Sequence, residues 1–312
     1  AQKPSFTGLK QFDDIDPAVV VGFFDWSPFF RTWELAGHFP KILDDEVVGE
    51  TATELYNDAQ TMLARIIKEK WLTIKAVVGF FPAAADGDDV VLYEDESRTK
   101  EIHRFHFLRQ QMSRSNNRAN HCLADFIAPK DLDIPDYLGC FTVTGGLGIE
   151  DKLADFERTH DDYSSILLKA LADRFAEATA EYMHAQVRKE LWGYAKDETF
   201  SNDQLIREAY QGIRPAPGYP ACPDHSEKPG LFELLEVTDR IGVSLTEAHA
   251  MLPASSVSGY YFAHQEARYF GIGKIAKDQV EDYAKRKGMS LREAERSLAS
   301  NLGYERSSIL ES

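Results

Sequence analysis

At 312 residues, with 43% hydrophobic and 12% aromatic side chains, the chain can bury a large core. Acidic residues outnumber basic ones 51 to 35, a formal net charge of -16, so the protein repels polyanions, which excludes nucleic acid and anionic membrane as natural partners. Cys122, Cys140 and Cys222 are too few and too scattered for a disulfide framework or a zinc knuckle and fit a reducing cytoplasm, while no segment approaches the ~18 continuous apolar residues of a membrane span.

The chain opens on "AQKPSFTGLKQF", which has no apolar targeting segment. "FFDWSPFFRTW" (23–33) then gathers phenylalanine and tryptophan around Asp25. An aspartate there serves either as the cap of the Ser27-Pro28 turn or as an acidic group in an apolar wall, able to read an ammonium or a hydroxyl. Val48, Ala52, Leu55, Ala59, Met62, Leu63 and Ile66 recur at spacings of three and four, one face of a helix with Asp44 and Asp45 as capping candidates. Short β-branched or aromatic runs follow at 76–82, 90–93, 102–107 and 137–143, separated by turn signals such as "ADGDD", and predict hairpins rather than βαβ units.

"TGGLGIED" (144–151) lies between a strand and a helix, the setting of a phosphate-binding turn. The third glycine of G-x-G-x-x-G would fall on Asp151, and Glu150 would repel a pyrophosphate, so the reading is a glycine-rich turn and not a Rossmann site. A long helical zone from about 150 to 192 carries Ile166, Ala170, Phe175, Ala178, Tyr182 and Val187 near a 3.6-residue period. Beyond it, the pattern predicts a helix at about 230–241, strands near "VSGYYFA" and "YFGIGKI", a helix over "KDQVEDYAKRK" closed by Gly288, and a last helix opened by a Ser290–Glu293 capping box. Strands grouped apart from helices indicate an α+β fold.

The chemistry-bearing candidates are few. His103 and His106, three apart on a strand, face opposite sides, and H-E-x-x-H, clustered cysteines and G-x-S-x-G are all missing, so no metal set and no hydrolase elbow is assigned. Asp173 and Glu177 share a helix face and call for a cation, either Arg174, Arg188 or another segment, or else a cationic ligand. "IRPAPGYP" (213–220) cannot be helix or central strand. It holds Arg214 either as a solvated cation on a surface turn or as a preorganised fork for a carboxylate or phosphate.

Taken in order, "DWSPFF", "KALADRFAEA", "RPAPGYPACPDH", "SVSGYYF" and "KDQVEDYAKRKG" resemble the C-terminal activation domain of cobalamin-dependent methionine synthase over essentially the whole chain. The resemblance implies one domain over residues 1–312, a twisted antiparallel sheet with flanking helices that binds S-adenosylmethionine outside the Rossmann fold. It implies that Arg214 pairs with the methionyl carboxylate, and that Ala216, Gly218 and Tyr219 line the adenosyl or cobalamin side. Asp25, Glu208, Tyr269 and Phe270 would complete the pocket, with Asp173 and Glu177 placing negative charge near the sulfonium. Phe270 departs from the family pattern, which has a second tyrosine there.

The implied role is presentation of a methyl group for reductive methylation of cob(II)alamin, carried by a partner cobalamin-binding domain and reduced by a flavodoxin-type donor. The chain lacks the D-x-H-x-x-G signature of the cobalamin module, so it is expected to be a fragment or a separate subunit, incapable of methionine synthesis alone. Two other readings follow from the same residues: a self-contained S-adenosylmethionine-dependent methyltransferase with its own general base, and a module that only docks partner proteins. A further expectation is that Arg214 faces a solvent-filled cleft, so that its removal changes fold stability little.

Overall fold

A computed structural model describes residues 2–113 and 119–306. Its centre is a six-stranded sheet in which every pairing is antiparallel. The strands are β1 (Gly8–Phe12), β2 (Thr73–Asp86), β3 (Asp89–Tyr93), β4 (Glu101–His106), β5 (Asp136–Leu147) and, after a separate hairpin of the short strands β6 (Ser244–Leu245) and β7 (Met251–Leu252), β8 (Ser256–Tyr261). The order is β4-β3-β2-β5-β8, and β1 shares with β3 the edge of β2 that faces away from β5. This antiparallel sheet flanked by helices is the expected α+β class.

Residues 76–84 of β2 are buried without interruption, because both faces of the sheet are covered and the period of two sends alternate side chains into two cores. Ala76, Val78 and Phe80 enter a core with α3 (Gly49–Glu69) and α5 (Asp162–Gln186), whereas Val77, Phe81 and Ala83 enter a second core with α7 (Lys228–Leu234) and α8 (Val237–Ile241). The short α1 (Pro17–Val20) and α2 (Ser27–Arg31) bring the aromatic stretch into the first core. Asp45 does not cap α3, whose first turn follows Val48 with no side-chain cap; its carboxylate instead accepts the backbone N–H groups of Val47 and Val48 in the turn that leads into the helix.

The stretch read as a glycine turn is instead the end of β5, which holds Gly145 and Gly146, and the chain turns only at Gly148, at φ 93°. Gly145 lies inside β5, where a Cβ would stand 2.6 Å from the backbone nitrogen of Ala176, so the absence of a side chain is what lets α5 lie this close to the sheet.

Three further sequence expectations are corrected. The 150–192 zone is two helices, α4 (Glu150–Arg158) and α5, with Asp161 capping the second through Ser164 N–H. Of the predicted stripe, Ala170, Phe175, Ala178 and Val187 are buried, whereas Ile166 is exposed and Leu167, Leu168 and Leu171 take the buried face beside it. The helix at 230–241 is broken at Glu236, in the left-handed region at φ 52°. "YFGIGKI" forms no strand, because the outer edge of β8 is already occupied by the proline loop: Ile213 and Phe262 exchange backbone hydrogen bonds at 3.0 Å, and Tyr260 N–H donates to Pro215 O at 2.9 Å. After α6 (Asn202–Ile206), α9 (Lys277–Lys287) and α10 (Leu291–Ser297) complete the chain around a small third core. Gly288 ends α9 at φ 68°, and Ser290 with Glu293 forms the expected capping box.

Candidate functional site

The proline loop is the far edge of the sheet, and this decides what Arg214 can do. Prolines 215 and 217 offer no N–H to a further strand, so the loop ends the sheet. It then closes on itself, Gly218 N–H donating to Cys222 O at 2.7 Å and Tyr219 N–H to Ala216 O at 3.1 Å. Gly218 is held at φ 95°, with the His225 ring packed where a side chain would go.

Between this loop and α5 lie two adjoining cavities. One, of about 480 Å³, is walled by Phe141, Pro215, Ala216, Val257, Tyr269 and Phe270. The other, of about 280 Å³, is bounded by Asp25, Arg174, Glu181, Tyr210 and Leu205 among others. Glu177, Glu208, Arg214 and Tyr219 belong to both. An apolar chamber joined to a polar one suits a small molecule with a flat apolar part and a charged tail.

Arg214 enters this boundary with its side chain one-fifth exposed and paired with Glu181 at 2.7 Å. Its Nη1 donates to Tyr210 Oη at 3.0 Å and to His184 Nδ1 at 3.1 Å, and its backbone N–H donates to Tyr269 Oη at 3.0 Å. Burial works against the guanidinium charge, but Glu181, Tyr269 and Tyr210 together outweigh it and raise the Arg214 pKa. Behind it α5 ends in a π-helical turn (Val187–Leu191), which carries the fully buried Arg188 onto Glu198 with both contacts at 2.7 Å.

Tyr219, half exposed, faces Glu177, whose charge and the accompanying desolvation push the phenol pKa up. Glu208, at φ 56°, has its carboxyl pKa raised by desolvation, with Arg214 pulling the other way. Asp25 accepts Ser27 N–H at 3.0 Å, the turn-capping alternative, and also lines the polar cavity. Tyr269 and Phe270 both line the apolar cavity, since with no strand there the alternation of faces does not apply.

Two candidates stand apart. Asp173 is exposed, accepts the Ser255 hydroxyl at 2.9 Å and lies outside the lining of both cavities, as does Gly218. Sequence reasoning missed Glu181, His184 and Tyr210. A signal for the first two existed: Glu177, Glu181, His184 and Arg188 fall at i, i+4, i+7 and i+11, one face of a helix. Among the described residues no group of His, Cys, Asp and Glu is arranged to hold a metal ion, and no helix is long and apolar enough to cross a membrane.

Residues 17–288 match the family described as vitamin B12 dependent methionine synthase, activation domain. A solved structure described as the MetH reactivation domain bound to AdoHcy is 53% identical, superimposes with a TM-score of 0.94, and the match covers 97% of this chain and 93% of that one. On a match of this extent, the chain belongs to the activation-domain family of vitamin B12 dependent methionine synthases.

Proposed function

We propose that this chain binds S-adenosylmethionine in the paired cavities and presents its methyl group for reductive methylation of cobalamin, thereby reactivating methionine synthase. The observation that carries the reading is the join of an apolar chamber to a polar one at Arg214, in a family with a relative bound to AdoHcy. The adenosyl group fits the wall of Pro215, Ala216, Tyr269 and Phe270, and the methionyl carboxylate meets Arg214. Glu177, Glu208 and Asp25 supply negative charge for the ammonium and sulfonium.

The cobalamin, held by a partner domain and reduced by a flavodoxin-type donor, supplies the nucleophile that takes the methyl group from sulfur. This chain's residues need no proton transfer for that step. They hold the sulfonium in line, and a loop pinned to β8 and stiffened by proline limits its drift. We further propose that residues 1–312 act as one ligand-binding unit, a methyltransferase component working in the cytoplasm.

Two expected results follow. The isolated chain should bind S-adenosylmethionine in a calorimetric titration yet transfer no methyl group until a cobalamin domain and a reductant are added. Methylation of homocysteine without a corrinoid would instead favour a self-contained methyltransferase, and no heat of binding would favour a docking module.

Asp25→Asn keeps the acceptor for Ser27 N–H, so the melting temperature should hardly move. Loss of the charge should weaken S-adenosylmethionine binding by roughly fivefold, the size of one partly exposed charge interaction. Equal binding by both proteins would leave Asp25 as a cap alone.

A further inference from the structure

Behind Arg214 lies a histidine that the proposed chemistry does not touch. His184 is fully buried on α5, its ring stacked on Tyr261 with centroids 5.4 Å apart and edge-on to Tyr210 at 4.8 Å. Its Nδ1 stands 3.1 Å from Arg214 Nη1. A guanidinium only donates, so Nδ1 must be the unprotonated acceptor and the ring proton must sit on Nε2. Burial, with Arg188 and Arg214 nearby, lowers the imidazole pKa far below its ordinary value, which agrees with a neutral ring.

The donor count of Arg214 then becomes informative. Nη1 spends its hydrogens on His184 and Tyr210, and Nη2 spends one on Glu181. That leaves Nε–H and one Nη2–H for an incoming anion. A guanidinium on a flexible stem would otherwise rotate to satisfy Glu181 with both forks, as Arg188 does with Glu198.

We infer that His184 is a positioning residue for the ligand carboxylate: as a neutral acceptor it orients the Arg214 guanidinium so that part of its donor set stays turned toward the cleft. This rests on the reading of Arg214 as the carboxylate partner. It gives a buried side chain with no ligand contact a share in specificity, exercised on one functional group of the ligand only.

The test compares two ligands that differ in the amino-acid end, S-adenosylhomocysteine and 5′-methylthioadenosine. His184→Phe keeps the ring stack but deletes the acceptor. It should weaken S-adenosylhomocysteine binding by roughly tenfold, the size of one hydrogen bond to a charged group, and leave 5′-methylthioadenosine unchanged. His184→Asn, whose Oδ1 can take the place of Nδ1, should recover most of the loss. Equal losses for both ligands, or no loss for either, would overturn the inference. Arg214→Ala is the control: if it too binds S-adenosylhomocysteine normally, the carboxylate reading itself fails and this inference with it. Should His184→Phe not fold, the ¹⁵N spectrum of the wild-type imidazole decides, since an Nδ1–H tautomer contradicts the inference and an Nε2–H tautomer agrees with it.

Discussion

Arg214→Ala should abolish tight binding of S-adenosylmethionine and also lower the melting temperature. The binding loss comes from a ligand carboxylate left in the cleft without its partner, a cost of roughly 2 to 5 kcal/mol, or roughly thirtyfold to several thousandfold in affinity. The stability loss is a revision forced by the structure. Arg214 does not project freely into a solvent-filled cleft; it holds Glu181, whose side chain is 10% exposed. Removing one member of such a pair strands a charge, at about 3 kcal/mol or somewhat less here, because Arg188 Nη1 stands 3.8 Å from the other Glu181 oxygen.

The two effects can be separated. Arg214→Ala combined with Glu181→Gln should regain most of the melting temperature and none of the binding, since a neutral amide needs no cation. Arg214→Lys should satisfy Glu181 yet bind weakly, because an ammonium cannot reach His184, Tyr210, Glu181 and a carboxylate in one geometry. A single variant that keeps full affinity while losing stability would make Arg214 a clamp for its own loop and nothing more.

What could be read without coordinates was local. The α3 face from Ala52 to Ile66 is a 3.6-residue pattern and folds as such, and the strands at 76–82 and 137–143 are runs whose ends are marked by turns. The proline loop was legible as something that could not be a central strand. That it would close the sheet along β8 was not, because an edge is vacant or taken only once the rest of the chain is placed. "YFGIGKI" failed for the same reason: its composition suits a strand, but the edge it would have joined belongs to Ile213 and Pro215.

The site shows the same division. Arg214, Glu177, Glu208 and Tyr219 could be named in advance and do meet. Their supports could not, since the contact of Arg214 with Glu181 and His184 spans about thirty residues of chain and is created by the packing of α5 against β5 and β8. Helical spacing picks out the face but not what it will meet.

Lys287→Met should be among the most destabilising single changes outside the cleft. Lys287 is the last residue of α9, and its ammonium lies 2.5 Å from Glu227 Oε1, 2.7 Å from Ser226 Oγ and 3.1 Å from Asp224 Oδ2. Both carboxylate side chains are only 3% exposed. Burial alone would raise their pKa values; Lys287 and the hydrogen bonds outweigh it and hold both below the ordinary range. Carboxyls depressed in this way stabilise the fold above their unfolded pKa, about 4, and the contribution is lost as pH falls through the lower folded values. The raised pKa of Lys287 works in reverse, its contribution being complete below about 10.4 and lost as pH climbs through the folded value. With methionine at 287 two buried negative charges remain without their cation, at a cost of about 3 to 5 kcal/mol near neutral pH. The pH dependence contributed by these carboxyls should then change sign. Unpaired and buried, Asp224 and Glu227 would titrate above their unfolded values, so acidification toward pH 5 should narrow the stability gap between variant and parent, while the parent itself loses stability because His184, held neutral in the fold, is protonated in the unfolded chain. Glu227→Gln in the same background should recover part of the loss at pH 7 and flatten the profile. Melting curves of the three proteins from pH 5 to 8 decide the matter, and parallel curves for parent and Lys287→Met would show that this cluster contributes packing and not charge.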